Sequence, residues 1–290
     1  MKKNANGAGL HPSSFIHHPA KTPHPSKRLG QNFLVNRGVV DRIVNTLAPR
    51  DDETIIEIGP GQGALTAALV ERAGRVVAIE FDRQLIPILN EQFGSFPNFK
   101  LIQADALDTD FCAVIRPALK ARVVANLPYN ISTAILQRLL ERRECLDDLV
   151  LMLQREVVDR ISAPPGSTDR GFLSVLVQAY CTVEKLFDVA PGSFRPVPKV
   201  WSSVIRLRVR QRSETETFNE AVFRSLVSAG FAQRRKTILN NLRNSPETLQ
   251  ELFKRHGGAS IILCEAGIQL QRRAETLTLA EWVRLAQMLT

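Results

Sequence analysis

The feature that most constrains the fold is a glycine-rich turn between two segments of different periodicity. Thr54–Ile58 has the β-branched, apolar character of a buried strand, and Gly59-Pro60-Gly61-Gln62-Gly63 follows it directly. The Ala- and Leu-rich segment 64–72 then has the composition of a helix. Glycine allows the backbone to pass close to a ligand, and the start of a helix offers free N–H groups. The turn therefore predicts a ligand-binding strand–turn–helix unit.

Strand and helix patterns continue to alternate after this unit. Further strands are predicted at 75–79, 99–103, 122–125, 149–153, 182–189 and 200–209, with helices at 83–93, 131–142 and 155–162. Beyond residue 213 only helical patterns remain, at 218–229, 235–243, 246–256 and 279–289. Such alternation predicts an α/β fold with a mostly parallel sheet covered on both faces. A smaller, all-helical domain is expected to follow it.

Three segments follow from these patterns. Residues 1–26 are rich in proline and hold four of the five histidines, and their irregular spacing favours a solvated tail over a metal-binding tract. Residues 27–210 form the predicted α/β domain, and residues 211–290 the helical one.

Charge gives the first indication of a partner. The net charge is +9, and the excess is concentrated in residues 1–28 and 206–243, which carry net charges of +5 and +6. Two basic patches on an otherwise near-neutral chain favour a polyanionic partner such as nucleic acid.

Cysteine and apolar patterns limit the other possibilities. The four cysteines include no C-x-x-C pair, so the spacing favours neither a disulfide framework nor a zinc site. No apolar run is long enough to span a membrane. We therefore expect a metal-free, cytoplasmic protein, and nothing in the sequence indicates a stable oligomer, so a monomer is expected.

Acidic residues after the next strands indicate the ligand. Glu80 ends the second strand, where a carboxylate can bind ribose hydroxyls, and Asp105 follows the third strand, where a carboxylate can accept the adenine amino group. Gly59, Gly61 and Ala64 also fit the dinucleotide pattern G-x-G-x-x-A, so a dehydrogenase remains an alternative. Asp105 and the tetrapeptide after the fourth strand favour S-adenosylmethionine.

That tetrapeptide is Asn126-Leu127-Pro128-Tyr129. The exocyclic amino group of adenine is a poor nucleophile, and two acceptors, the Asn126 side-chain oxygen and the Leu127 carbonyl, can orient its N–H groups. Pro128 stiffens the turn, and the Tyr129 ring can stack on an extruded base. The pattern predicts N6-adenine methyl transfer.

Longer motifs resemble a known family. The chain is similar to the ribosomal RNA adenine dimethyltransferases, specifically the bacterial small-subunit enzymes, from about residue 30 to residue 243 and in a C-terminal patch. The matching motifs are Gly30-Gln31-Asn32-Phe33-Leu34, the Glu57–Gly63 turn, Asn126–Ser132, Gln154–Glu156, Ser193–Val200 and Gln233–Thr237. The resemblance implies a Rossmann-like class I methyltransferase sheet and a C-terminal helical domain.

The resemblance also implies the activity and the site. The enzyme would transfer two methyl groups to N6 of each of two adjacent adenosines near the 3′ end of 16S (small-subunit) rRNA, with a role in subunit assembly. The cofactor residues implied are Asn32, Leu34, Gly59, Gly61, Glu80, Asp105 and Asn126. Phe194 would close on the target adenine opposite Tyr129, and Arg234, Arg235 and Lys236 would bind rRNA phosphates.

Some positions depart from the family pattern, notably Trp201, where an Asp is usual, and the loop 166–172. Two further alternatives stay open. One is the large-subunit dimethyltransferase of macrolide resistance, and the other is a non-catalytic ribosome-assembly factor. The intact tetrapeptide argues against the second.

Overall fold

A computed structural model describes residues 25–26, 29–210 and 218–290. The predicted tail therefore lies outside the described residues except for Pro25 and Ser26. The described residues form two compact units, one within residues 1–152 and 189–202 and the other within residues 153–188 and 203–290. These limits differ from the predicted boundary between residues 210 and 211, which stays a prediction about functional domains.

The described residues contain the following strands. They are β1 (Phe33–Leu34), β2 (Thr54–Ile58), β3 (Arg75–Glu80), β4 (Phe99–Gln103), β5 (Ala121–Asn126), β6 (Leu146–Gln154), β7 (Cys181–Val189), β8 (Phe194–Arg195) and β9 (Ser202–Val209).

The α-helices lie between and after these strands. They are α1 (Arg37–Leu47), α2 (Ala64–Leu69), α3 (Ile86–Phe93), α4 (Phe111–Val114), α5 (Ser132–Glu141), α6 (Arg155–Ser162), α7 (Phe172–Tyr180), α8 (Glu220–Gly230), α9 (Ile238–Arg243), α10 (Glu247–Arg255), α11 (Ala259–Glu265) and α12 (Leu279–Met288).

A parallel sheet organises the first unit. Its strands lie in the order β4-β3-β2-β5-β6, and β2 pairs in parallel with both β3 and β5. All five residues of β2 are buried, as a strand covered on both faces requires. The carboxyl ends of β2, β3, β4 and β5 consequently meet at one edge of the sheet, which is where an open α/β sheet binds its ligand.

A short antiparallel pair accompanies this sheet. β1 pairs with β8, and Leu34 lies opposite Phe194. Helix α1 follows directly, with Asn36 accepting a hydrogen bond from the Val39 N–H as its N-terminal cap.

The second unit contains two strands and the C-terminal helices. The Arg210 N–H donates to the Tyr180 carbonyl and the Thr182 hydroxyl to the Arg208 carbonyl, so β7 and β9 run antiparallel. Trp282 of α12 is fully buried and stacks on Phe231. The predicted α/β fold with a C-terminal helical region is confirmed.

One predicted helix starts in the wrong place. The prediction placed a helix at 235–243, but α9 begins at Ile238, because the Thr237 side chain caps it by accepting from the Asn240 N–H. Arg234, Arg235 and Lys236 therefore lie in a turn before the helix, not on it.

One cysteine pair also differs from expectation. The spacing favoured no disulfide framework, yet Cys112 and Cys145 are disulfide-bonded, with Cα atoms 5.5 Å apart. The fold brings α4 beside the 3₁₀ turn Arg143–Cys145, a contact between residues 33 positions apart that no local pattern reveals. Cys181 and Cys264 form no disulfide.

Among the residues that the structure describes, no helix is long and apolar enough to cross a bilayer. The same residues include no group of three or more His, Cys, Asp or Glu side chains placed to hold a metal ion.

Candidate active site

A cavity of about 250 Å³ opens at the carboxyl ends of the first unit's strands. It is lined by the turn after β2, the ends of β3 and β5, the loop after β4, and the segment before β1. Its described lining residues include two carboxylates, Glu80 and Asp105, and no lysine, arginine or histidine. The cavity is therefore acidic.

The glycine turn forms one wall. Gly59 has a φ of +65°, and a Cβ atom added there would meet no protein atom within 4 Å. Because Gly59 lines the cavity, such an atom would take up space inside it. Glycine at this position keeps the wall open for a ligand that approaches the backbone closely.

Glu80 is fixed at both carboxylate oxygens. Oε2 accepts a hydrogen bond from the Gly61 N–H at 3.2 Å, and Oε1 accepts one from the Asp82 N–H at 2.8 Å. Burial raises the pKa of Glu80, and the two backbone hydrogen bonds oppose that rise. Each oxygen keeps a second lone pair, so the carboxylate can still accept from ligand hydroxyls.

Asp105 is oriented by its own loop. Its Oδ1 accepts from the Leu107 N–H at 2.8 Å, and its main-chain carbonyl accepts from the Thr109 hydroxyl at 2.7 Å. These bonds fix the carboxylate against the cavity, as an Asx turn does.

Asn126 ends β5 with its side chain held at one end. Its Nδ2 donates to the Asn32 carbonyl oxygen at 2.9 Å, and both residues line the cavity. An amide whose nitrogen is engaged in this way leaves its Oδ1 as an acceptor. The next residue is fixed as well, because the Leu127 N–H donates to the Met152 carbonyl at 3.1 Å.

Tyr129 contributes an aromatic wall. Its ring is half-buried and lines the cavity, and its hydroxyl lies 2.6 Å from the Ser202 Oγ. Burial raises the pKa of Tyr129, and the hydrogen bond with Ser202 opposes the rise. The phenol is therefore neutral at physiological pH.

The segment before β1 covers the cavity from the other side. The Gln31 Nε2 donates to Asp82 Oδ2 at 2.8 Å, and the Gln31 Oε1 accepts from the Ser26 N–H. Gly30 has a φ of +63° and lies so close to Asn130 that a Cβ would come within 2.7 Å of its Oδ1. Gln31 and Asp82 were not among the predicted site residues.

The structure brings together most of the predicted cofactor and catalytic residues, but not all. The predicted residues that line the cavity are Asn32, Gly59, Gly61, Glu80, Asp105, Asn126, Leu127, Pro128 and Tyr129. Leu34 and Phe194 do not line it; both are buried, and they face each other across the β1–β8 pair.

The predicted RNA-binding residues lie in the second unit. Arg234, Arg235 and Lys236 are exposed in the turn before α9, and the Arg234 guanidinium contacts the Thr168 carbonyl. Trp201, which departs from the family pattern, is 45% exposed in the first unit.

Comparisons with known proteins show the family of the chain. The family model described as ribosomal RNA adenine dimethylase matches residues 24–285. The chain is 44% identical to "Ribosomal RNA small subunit methyltransferase A" of Hahella chejuensis, over 90% of this chain and 91% of that one.

Solved structures extend the likeness to the fold. A dimethyladenosine transferase from Plasmodium falciparum superposes with a TM-score of 0.74 at 24% identity, covering 87% of this chain and 95% of that one. The 23S rRNA methyltransferase ErmE superposes with a TM-score of 0.64 at 28% identity, covering 89% and 99%.

Proposed function

Because the chain belongs to the ribosomal RNA adenine dimethylase family, we propose that it uses S-adenosylmethionine to dimethylate N6 of two adjacent adenosines near the 3′ end of small-subunit rRNA. The observation that carries this proposal is the Asn126 amide, held by the Asn32 carbonyl at the wall of an acidic cavity. The small subunit is favoured because the Hahella chejuensis relative is a small-subunit methyltransferase by name.

The cavity suits the proposed cofactor. When bound, S-adenosylmethionine supplies a methyl group on a positively charged sulfur. Glu80 and Asp105 supply negative charge to the wall, and no cationic side chain is among the described residues that line it. The dehydrogenase alternative is disfavoured by the family, since the matching model is that of a ribosomal RNA adenine dimethylase over residues 24–285.

Each wall residue has a role in binding the cofactor. Glu80 accepts from the ribose hydroxyls with the lone pairs that Gly61 and Asp82 leave free. Asp105 accepts from the adenine amino group, and Gly59 lets the ligand approach the backbone. Asn32 belongs to the segment that covers the cavity. Leu34 lies in β1 and does not line the cavity, and it supports that segment through its pairing with Phe194.

The Asn126–Tyr129 loop orients the target base. Asn126 Oδ1 and the Leu127 carbonyl accept the two N–H groups of the adenine amino group. This geometry turns the nitrogen lone pair out of conjugation with the ring and towards the methyl group. Pro128 stiffens the loop, and the Tyr129 ring stacks on the base once it has left its own stack.

The predicted role of Phe194 is a separate part of the proposal. Stacking on the free face of the adenine requires its ring to reach the cavity, whereas the ring is fully buried. A stacking role therefore implies that the β1–β8 pair shifts when the base enters. This role stays a prediction.

In the second unit, Arg234, Arg235 and Lys236 bind rRNA phosphates as a group. They precede the N-terminus of α9. The helix dipole places partial positive charge at that end, which adds to the charge of the three side chains and favours the binding of an anion. A role in small-subunit assembly, a cytoplasmic location and a monomeric state complete the proposal.

The direct test is methyl transfer from labelled S-adenosylmethionine to small subunits that lack the modification, with the product nucleoside identified by mass spectrometry. We expect N6,N6-dimethyladenosine at two adjacent positions of small-subunit rRNA. Label in large subunits alone would replace the proposal with the macrolide-resistance activity. Tight subunit binding without label would replace it with an assembly factor.

A further inference from the structure

Tyr129 is held at the far end of its ring by a residue that the proposed mechanism does not use. Its hydroxyl and the Ser202 Oγ are 2.6 Å apart, although the two residues are 73 positions apart in the chain. Ser202 is fully buried, whereas Tyr129 is half-buried and lines the cavity. The bond therefore joins the cavity wall to the interior of the protein.

Burial makes this hydrogen bond persistent. A hydroxyl without access to water loses free energy if its partner moves away, because no solvent replaces the bond. Ser202 lies in the same compact unit as Tyr129, and close packing around a fully buried side chain restricts its movement. The Tyr129 hydroxyl is thus anchored to a buried side chain.

The backbone of Tyr129 is held at the other end. The Ser132 Oγ donates to the Tyr129 carbonyl at 3.3 Å, and Ser132 is the first residue of α5. A tyrosine ring has two side-chain torsions, and fixing both its main chain and its hydroxyl removes most of the freedom in each. The plane of the ring is then defined before any base arrives.

From this geometry we propose that Ser202 is a positioning residue for methyl transfer, which holds the Tyr129 ring in the plane on which the target adenine stacks. The inference rests on the proposed function, since it needs a base to stack on Tyr129. Ser202 acts only through Tyr129 and touches neither the base nor the cofactor. Loss of the Ser202 hydroxyl lowers the rate of methyl transfer, because the adenine then samples orientations in which its amino nitrogen is misaligned with the methyl group.

The test compares three variants of the full chain: Ser202→Ala, Tyr129→Phe and the double variant. Tyr129→Phe keeps the ring and removes only the hydroxyl. With small subunits that lack the modification as substrate, we expect each single variant to lower kcat by about 10-fold. The double variant should lose no more than either single variant, because one bond accounts for both effects.

Ser203→Ala is the matched control. Ser203 is also fully buried, and its hydroxyl donates to Asp188 Oδ1 at 2.5 Å without contacting Tyr129. A purely structural role for Ser202 predicts that both serine variants lose thermal stability and activity in parallel. The proposal predicts that only Ser202→Ala lowers kcat, with S-adenosylmethionine affinity within about twofold of the wild type.

A second readout does not depend on turnover. A short single-stranded RNA carrying 2-aminopurine in place of the target adenine loses fluorescence when that base stacks on an aromatic ring. We expect the wild type and Ser203→Ala to quench it, and Ser202→Ala to quench it less.

Unchanged kcat and quenching in Ser202→Ala, or additive losses in the double variant, would overturn the inference and leave the proposed function standing. A wild type that quenches without transferring methyl groups refutes the proposed function, and the quenching of Ser202→Ala then decides the role of Ser202. A wild type that does neither refutes both.

Discussion

The Asn126–Tyr129 loop and the Gln233–Lys236 segment use polar groups in opposite ways. In the loop, the Asn126 amide, the Leu127 N–H and the Tyr129 hydroxyl each have a protein partner within about 3 Å. In the segment, three long cationic side chains are exposed in a turn. The difference matches the two proposed tasks: orienting one nitrogen requires groups fixed in advance, whereas attracting a polyanion requires exposed charge.

The contrast predicts two kinds of response to substitution. A single change in the loop should have a large effect that does not depend on salt. Changes in the segment should have graded effects that add together and weaken as the salt concentration rises.

The largest effect is expected for Asn126→Ala. Removing one of the two acceptors of the amino group should lower kcat about 100- to 1000-fold, comparable to the loss of one preorganised hydrogen bond at a reacting centre. Methyl-transfer kinetics measure this, and circular dichroism melting checks that the fold is intact. Near-normal turnover would refute the acceptor role.

Glu57 is a buried polar residue of β2, close in sequence to the cavity wall, and the pH dependence of stability tests how it is held. It is fully buried, accepts from the Thr66 hydroxyl at 2.6 Å, and its pKa is raised to about 7, mainly by burial. The folded protein therefore keeps a proton that the unfolded chain loses above its ordinary pKa. The stabilisation from this proton is complete below pH 4.5 and is lost as the pH rises to about 7.

Glu57→Gln should remove that dependence. Its Oε1 can still accept from Thr66, so the free energy of unfolding should fall less between pH 5 and pH 7.5 than in the wild type, by roughly 2–3 kcal/mol. Urea unfolding at both pH values measures the difference. Parallel curves for the two proteins would show that Glu57 ionises normally.

The exposed Gln233–Lys236 segment is tested by replacing Arg234, Arg235 and Lys236 together with alanine. Affinity for small subunits should fall about 30-fold, and the slope of log K against log salt should become shallower by about 2, as expected for three lost phosphate contacts. Equilibrium binding at several salt concentrations measures both quantities.

The control removes three cations that already have acidic partners. Arg50, Lys120 and Arg160 form ion pairs with Asp52, Asp147 and Glu156 and lie outside the basic stretch 206–243. Replacing these three with alanine changes the net charge equally and should leave the slope close to that of the wild type. Equal changes in both triple variants would mean that net charge, not the segment, governs binding.

The smallest effect is expected for Glu80→Ala. Loss of the ribose acceptor should weaken S-adenosylmethionine binding about 10-fold, measured by calorimetry, while subunit binding stays unchanged. Glu91→Ala, an exposed glutamate of α3, is the control. Equal losses of cofactor and subunit binding would contradict the ribose role.

Local sequence patterns predicted the elements around the site well. Thr54–Ile58, Phe99–Gln103 and Arg155–Ser162 have the predicted bounds. Thr54–Ile58 is a short, β-branched run that ends at a glycine turn, and its length together with that turn favoured a strand. The helix at Phe172–Tyr180 was missed, since seven of its nine residues are buried and it shows no polar face. A helix of this kind cannot be distinguished from a buried strand by periodicity.

The sequence by itself determined the alternation of strands and helices and the position of the glycine turn, and it predicted roles for Glu80, Asp105 and Asn126, because each follows from residues close together in the chain. Tertiary structure alone decided the Cys112–Cys145 bond, the Gln31–Asp82 contact, the burial of Phe194 and the Tyr129–Ser202 bond. These depend on which distant segments pack together. Packing is set by the summed burial of many side chains, so no local pattern records it.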